Sequence, residues 1–338
     1  MLLSLSRRFS LSLCLYLISL FGETRLALSV HAQYWESIAS SSDGIKLCSV
    51  DHEGSIRTSG DSGKTWVTSM ASTQDWYSIT SSSDGSKMAA VAYKGNIWTS
   101  GNSGGSWTED TSIASEQFWV SISSSSDGIK LAAVAYGGHI WTSGNSGSTW
   151  TEVISIPSIQ SWSAISLSSD GNKLAAVVSA GHIWTSGNFG TTWTEVTSIP
   201  TQDWSAISSS SDGSKLAAGA YNGNIWTSGD SGSTWAEVTT IPSTHDWVSI
   251  SSSSDGSKLA AVSYGGSVWT SPNSGGIWSE DASIAATWLF SDTPWSDLDL
   301  LRAILYFIVV GAVVICCCLF TFSFLYSGCF AANRRAAM

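Results

Sequence analysis

Four residues near the start of a repeated region carry the most chemistry: Asp51, His52, Glu53 and Arg57. The matching positions two repeats later hold Ala135, Tyr136, Gly137 and Trp141. Two carboxylates, an imidazole and a guanidinium on one hairpin can move protons or hold a charged ligand. Terminal repeats also drift from their consensus, so the same substitutions read as an atypical end unit. His139 and His182 occupy one slot in successive repeats, where other copies have Asn96, Asn224, Ser55 or Ser267. A slot that accepts all three residue types reads as a polar position after a hairpin, not as a metal ligand. No Ser-His-Asp or Cys-His spacing is present, and no metal or cofactor is expected.

The element that must position these residues is a unit repeated six times. Its leading tryptophans are Trp35, Trp76, Trp119, Trp162, Trp204 and Trp247, at steps of 41, 43, 43, 42 and 43 residues. Within each copy, four short β-favouring runs alternate with turn signals. In the fifth copy these runs are residues 204–208, 215–221, 224–228 and 234–238. Ser211-Asp212-Gly213, Asn222-Gly223 and Gly229–Gly232 separate them. Asp and Asn bond their own turn backbone, and Gly takes positive φ. A period in the low forties with four strands per copy predicts an all-β, six-bladed β-propeller over residues 33–281. Its closing contact is expected between the first copy and the sixth.

The turn before each fourth run carries a second pattern. Ser59-Gly60-Asp61-Ser62-Gly63-Lys64-Thr65-Trp66 and Ser228–Trp235 read S-x-D-x-G-x-T-W, with Asp61 and Asp230 at the acidic position. The other copies have Asn102, Asn145, Asn188 and Asn273 there. Each turn ends in a tryptophan: Trp66, Trp107, Trp150, Trp193, Trp235 or Trp278. The chain therefore resembles the Asp-box, or BNR-repeat, β-propellers, a group that includes sialidases, sortilin-type receptors and Ycf48-like photosystem II assembly factors. The resemblance implies that these residues are structural: the Asp or Asn bonds turn amides and the Trp packs, with largely buried rings expected. It also raises a sialidase-like glycoside hydrolase as an alternative. Such enzymes hold the substrate carboxylate in an arginine cluster, and a single arginine, Arg57, lies between residues 33 and 300. A non-catalytic propeller is the expectation.

Residues 1–32 read as a secretory signal, with Arg7 and Arg8 before the apolar run Leu11–Phe21. Residues 282–302 read as a linker. The apolar run 303–326 is long enough to span a bilayer as a helix. Arg334 and Arg335 follow it, which puts a short tail, 327–338, in the cytoplasm. The expected topology is single-pass type I in the plasma membrane or endomembranes, with the propeller extracellular or lumenal. A photosystem II assembly role fits that topology poorly. Residues 33–300 hold nine basic and 25 acidic side chains, a net of −16, which argues against nucleic acid.

The expected function is a tethered binding or scaffold module for a protein or glycan partner. Two loop sets should share one face of the propeller. One set contains Asp75, Asp203 and Asp246; the other contains Tyr93, Tyr136, Tyr221 and Tyr264. Tyrosines around a mouth offer large contact area and a hydroxyl at low entropic cost. The Asp-Gly turns and Asp-boxes should fall on the opposite face.

Overall fold

The computed structural model describes residues 35–281, except 53, 114–116, 157, 243 and 265–267. The expected signal, linker, membrane span and tail, and Glu53, lie outside the described residues. Among the described residues there are 24 strands, and no helix is long and apolar enough to cross a membrane.

The strands fall into six successive antiparallel units of four. In the second unit they are Trp76–Ser81, Met88–Gly95, Ile97–Ser100 and Thr108–Glu109. The first strands of the other units are Trp35–Ser40, Gln117–Ser124, Gln160–Leu167, Trp204–Ser209 and Trp247–Ser252. Each pairs with its second strand in one register: Trp76 opposes Ala92, Ser78 opposes Val91, and the residue between is bulged. In the second and third units the second strand runs on and also pairs with the first strand of the next unit, as in Tyr93 opposite Phe118. That extension fuses the second, third and fourth units into one 12-stranded sheet.

Alanine-rich second strands let the units stack closely. Val91 and Ala89 of the second unit face Trp119, Ile122 and Ala133 of the third in one buried cluster. Four equivalent clusters join the other consecutive units. Both faces of an internal second strand are therefore dry, as radial stacking requires. Serine hydroxyls add clasps between first strands: Ser78 Oγ accepts the Ile122 amide at 3.3 Å, and Ser121 Oγ the Ile165 amide at 3.2 Å.

The tight turns before the fourth strands share one geometry. Ser143 Oγ accepts the Gly147 amide at 2.9 Å and donates to Asn145 Oδ1, which accepts the Thr149 amide at 2.9 Å. Ser146 and Gly147 both take positive φ, 58° and 84°, which makes the second position a glycine. Asp61 does the same and uses its second oxygen to accept the Thr65 hydroxyl, where Asn145 Nδ2 donates to Thr149 Oγ1. Either side chain completes the turn, so Asp61, Asn102, Asn145, Asn188, Asp230 and Asn273 are interchangeable there.

Two expectations change. The tryptophans ending these turns are not uniformly buried: Trp66 is 37% exposed, Trp107, Trp150, Trp193 and Trp235 are half-buried, and Trp278 is buried. The deep positions belong to the leading tryptophans from Trp76 to Trp247, which are at most 1% exposed. A residue just before the short fourth strand lies at a unit's outer rim, whereas the leading tryptophan sits between stacked sheets. The closing contact between the first and sixth units is also missing among the described residues. Ile38 is 64% exposed, against 4–8% for Ile79, Ile122, Ile165, Ile207 and Ile250.

Candidate binding face

The antiparallel order sends the second-to-third-strand hairpins and the links between units to one end of the stack. The two loop sets meet there. The amides of Tyr93, Tyr221 and Tyr264 donate at 2.7 Å to the carbonyls of Asp75, Asp203 and Asp246. At the other end lie the Asp-Gly turns and the tight turns described above. Lys173 Nζ, from one Asp-Gly turn, reaches Ser231 Oγ in the next unit's tight turn at 3.1 Å.

The three link aspartates have structural partners. Asp75 Oδ1 pairs with His52 Nδ1, Asp203 Oδ1 accepts the Ser179 hydroxyl, and Asp246 Oδ1 accepts the Asn222 amide at 3.0 Å. In each case the partner belongs to the preceding unit, so these carboxylates tie neighbours together. The four ionisable residues of the first unit do not converge. Asp51 is buried and accepts the Ser55 amide within its own hairpin. Arg57 stands where the other units have Trp, and its guanidinium lies 5.5 Å from the centroid of the Trp35 ring. That contact replaces the edge-on pairing seen between Trp76 and Trp98. Only His52 reaches the face, and Glu53 is undescribed.

His52 joins a group that sequence spacing does not reveal. Glu36 Oε1 lies 3.9 Å from His52 Nδ1, the same ring nitrogen that Asp75 approaches. Burial pushes the Glu36 carboxyl above its ordinary value; His52 opposes the shift and Asp75 adds to it. Burial likewise raises the Tyr77 phenol, with Glu36, Tyr93 and Asp75 contributing.

Beside this group runs an aromatic strip. Tyr77 stacks on Tyr93 with centroids 5.5 Å apart, and Tyr93 meets Phe118 at 5.1 Å. Lys94 Nζ sits 5.8 Å from the Phe118 centroid. Tyr136, Tyr221 and Tyr264 continue the set around the face with exposed rings. Tyr77 and Phe118 were absent from the sequence-based candidates, yet a signal existed. The position after the leading tryptophan reads Glu36, Tyr77, Val120, Ser163, Ser205, Val248, and the position before it reads Asp75, Phe118, Ser161, Asp203, Asp246 in units two to six. Variation at two fixed points of a near-identical repeat marks the residues that the repeat does not need.

The His139 slot belongs to these same hairpins but faces the fourth strand. His139 Nε2 is 3.4 Å from Glu152 on the neighbouring fourth strand, and Asn96 and Asn224 bond Glu109 and Glu237 in the same way. Among the described residues no three His, Cys, Asp or Glu side chains gather to hold a metal ion.

No protein-family model and no curated protein matches the chain. Solved structures do. The chain is similar to YCF48 from Cyanidioschyzon merolae, with a TM-score of 0.59 and 17% identity over 75% of this chain and 86% of that one. It is similar to virginiamycin B lyase from Staphylococcus aureus, at 0.61 and 19% over 73% and 83%. It is also similar to a GH74 xyloglucanase from Xanthomonas campestris, at 0.60 and 14% over 73% and 45%. A further YCF48 structure, at 0.59 and 16% over 75% and 83%, contains a bound D1 peptide. All of these are β-propellers. The fold is that of a β-propeller. At these identities the likeness extends to the fold alone, since the same architecture here carries two enzymes and one peptide binder.

Proposed function

We propose that the protein is a non-catalytic, membrane-tethered propeller of six Asp-box blades that binds a segment of a protein partner on the face carrying Tyr93 and Tyr136. The observation that carries this reading is the strip Tyr77–Tyr93–Phe118. It is a run of touching, partly exposed rings beside two carboxylates, on rigid strands rather than on long loops. Aromatic rings flanked by polar groups suit a peptide's alternating apolar and amide surface. The D1 peptide bound to YCF48 is a precedent for a propeller of this shape taking a peptide. A hydrolytic reading has less support. The ionisable residues of the face serve as ties between blades, and one arginine cannot form a carboxylate-binding cluster.

The anchoring rests on the sequence: a signal over 1–32 and a span over 303–326 place the propeller outside the cytosol. Protease protection in sealed microsomes tests it; loss of the propeller with the tail spared reverses the orientation. The binding face is tested by affinity capture with the wild-type chain, then with Tyr93→Ala, Tyr136→Ala and Asp127→Lys. A partner lost with both tyrosine changes and kept with Asp127→Lys supports the assignment. The opposite pattern moves binding to the Asp-box face, and a glycan ligand overturns the choice of partner class.

A further inference from the structure

Charge is unevenly placed on the face that carries the aromatic strip. Of the nine lysines and arginines between residues 33 and 300, six lysines follow Asp-Gly turns and Lys64 lies in a tight turn. Both kinds of turn are at the opposite end. Arg57 packs on Trp35. Lys94 is thus the single lysine or arginine on the strip's face among the described residues. It is exposed, and its ammonium lies over the Phe118 ring. Lys94 takes a φ of 56°, and the matching residues of the next three units, Gly137, Ala180 and Asn222, take 64°, 54° and 51°. Left-handed backbone suits glycine and asparagine and costs other side chains. Gly137 makes the same hairpin in the next unit, so the turn itself does not require a lysine.

At the other end of the strip the charge is negative. Glu36 and Asp75 both approach His52 Nδ1. The Tyr77 phenol, raised chiefly by burial, also feels both carboxylates. With the two carboxylates ionised, this group stays net negative whether His52 is neutral or charged. The chain sets the order across the face. Glu36 comes from the first unit, Tyr77 and Tyr93 from the second, and Phe118 from the third, where Lys94 leans against it. Three touching rings therefore run from an anionic end to a cationic one.

We propose that the bound segment carries a basic side chain at the Glu36–Asp75 end, an acidic side chain at Lys94, and apolar residues over the rings between them. The inference rests on the peptide-binding reading above and adds a charge order to it. The two ring-to-ring steps, 5.5 and 5.1 Å, each match about one and a half residues of extended chain, so the two ligand charges stand about four or five residues apart. Complementary charge at the ends of a contact selects partners by repelling the wrong ones. A segment whose two charges share one sign meets repulsion at one end of the strip.

The test is fluorescence anisotropy of four labelled synthetic peptides with the full-length chain. All four share two central phenylalanines. The flanking positions hold lysine and glutamate, two lysines, two glutamates, or two serines. The lysine–glutamate peptide is expected to bind several-fold more tightly than the other three, with the advantage shrinking at high salt. Lys94→Glu should move the preference to the two-lysine peptide, and Glu36→Lys to the two-glutamate peptide. Both sites are exposed. Lys94→Gly is the milder control: it should lose the lysine–glutamate preference while melting as the wild type does. Equal binding of all four peptides, abolished by Tyr93→Ala, keeps the strip as a peptide site and overturns its charge order. Tightest binding by the two-lysine peptide, as general attraction to an acidic protein would give, overturns it too. So does a preference unchanged by Lys94→Glu and Glu36→Lys. No measurable binding of any peptide overturns both the charge order and the peptide-binding reading.

Discussion

The indole Nε1 of Trp247 donates to the carbonyl of Gly223 at 3.1 Å, from the start of the sixth unit into the hairpin of the fifth. Trp204 bonds Gly181, and Trp76 bonds Gly54, in the same way. Each of these rings is buried between stacked sheets while its polar atom finds a partner, which large buried indoles need. The leading tryptophans should therefore dominate stability. Trp204→Ala is expected to cost about 3–5 kcal/mol, the range for emptying a large aromatic site. Trp193→Ala should cost distinctly less, because that ring is half-buried at the rim. Equilibrium denaturation of the two variants checks the order, and a larger loss for Trp193→Ala would contradict it.

A second prediction concerns the tight turns. Ser143 Oγ is a buried hub that accepts from Gly147 and donates to Asn145. Ser143→Ala strands a buried amide, at a cost of about 1–3 kcal/mol. Asn188→Asp should be close to neutral, because Thr192 Oγ1 can donate to a carboxylate as it accepts from the amide now. Paired thermal melts separate the two. A large loss for Asn188→Asp would show that the turns distinguish the two residues.

Much of this architecture is legible in the sequence because it is local. Asp-Gly and Asn-Gly turns, a glycine forced to positive φ and a 2-residue side-chain alternation each need only their neighbours. What escapes is set by position across units. Trp107 and Trp119 look equally apolar in the chain, but only Trp119 lands between sheets. Asp75 and Asp246 look like free loop carboxylates, yet each is held by a residue of the unit before it. Tyr77 reaches the candidate face because a bulge follows Trp76, a feature that shows only in the pairing register. Six similar copies predict a complete ring, yet among the described residues Ile38 of the first unit and Val262 of the sixth stand exposed. Ile38 and Val262 show that the count of copies does not fix closure.

Acid should weaken the Asp-Gly end. The Ser82, Ser210 and Ser253 hydroxyls and the following Ser86, Ser214 and Ser257 groups bond the ionised forms of Asp84, Asp212 and Asp255, holding them well below the usual carboxylate range. Thr65, through its hydroxyl and then its amide, brings Asp61 to about 2, with Ser59 assisting. Carboxyls depressed in the folded state add stability that is complete above the unfolded value, about 3.9, and is lost as pH falls through the folded values. These groups are solvent-exposed, so each contribution is modest. The denaturation midpoint is expected to decline below about pH 4. Asp84→Asn should narrow the difference between pH 5 and pH 2.5; an unchanged difference would remove the turn from the account.

Cys48 should be inert in the folded chain. It is fully buried, and burial pushes its thiol up to about 12. Thiolate is the reactive form, so both access and ionisation oppose modification. Mass mapping after treatment with a thiol reagent should find Cys48 unmodified in native protein and modified in denaturant. Rapid native labelling would mean that the first unit opens readily, since Cys48 lies in the cluster joining it to the second.

Glu36 carries the opposite pH sign from the turn aspartates. Its folded value is raised, chiefly by burial, with Asp75 adding and His52 opposing. For a group shifted upward, the stabilising contribution is present below the unfolded value, about 4.3, and is lost as pH rises through the folded value. At neutral pH the ionised Glu36 is therefore a small cost to the fold, reduced because its side chain is 36% exposed and partly screened by water. Glu36→Gln removes the charge and keeps the shape. The variant should melt higher than the wild type at pH 7, and the gain should vanish near pH 3.5, where the wild-type carboxyl is already protonated. If the variant instead melts lower at pH 7, the attraction between Glu36 and His52 outweighs burial, and the pair works as an ion pair. A binding assay separates stability from use. A partner that pairs a cationic side chain with Glu36 and Asp75 loses affinity with Glu36→Gln even as the melting temperature rises. Such a stability–affinity opposition is the behaviour expected of a residue kept for recognition rather than for the fold.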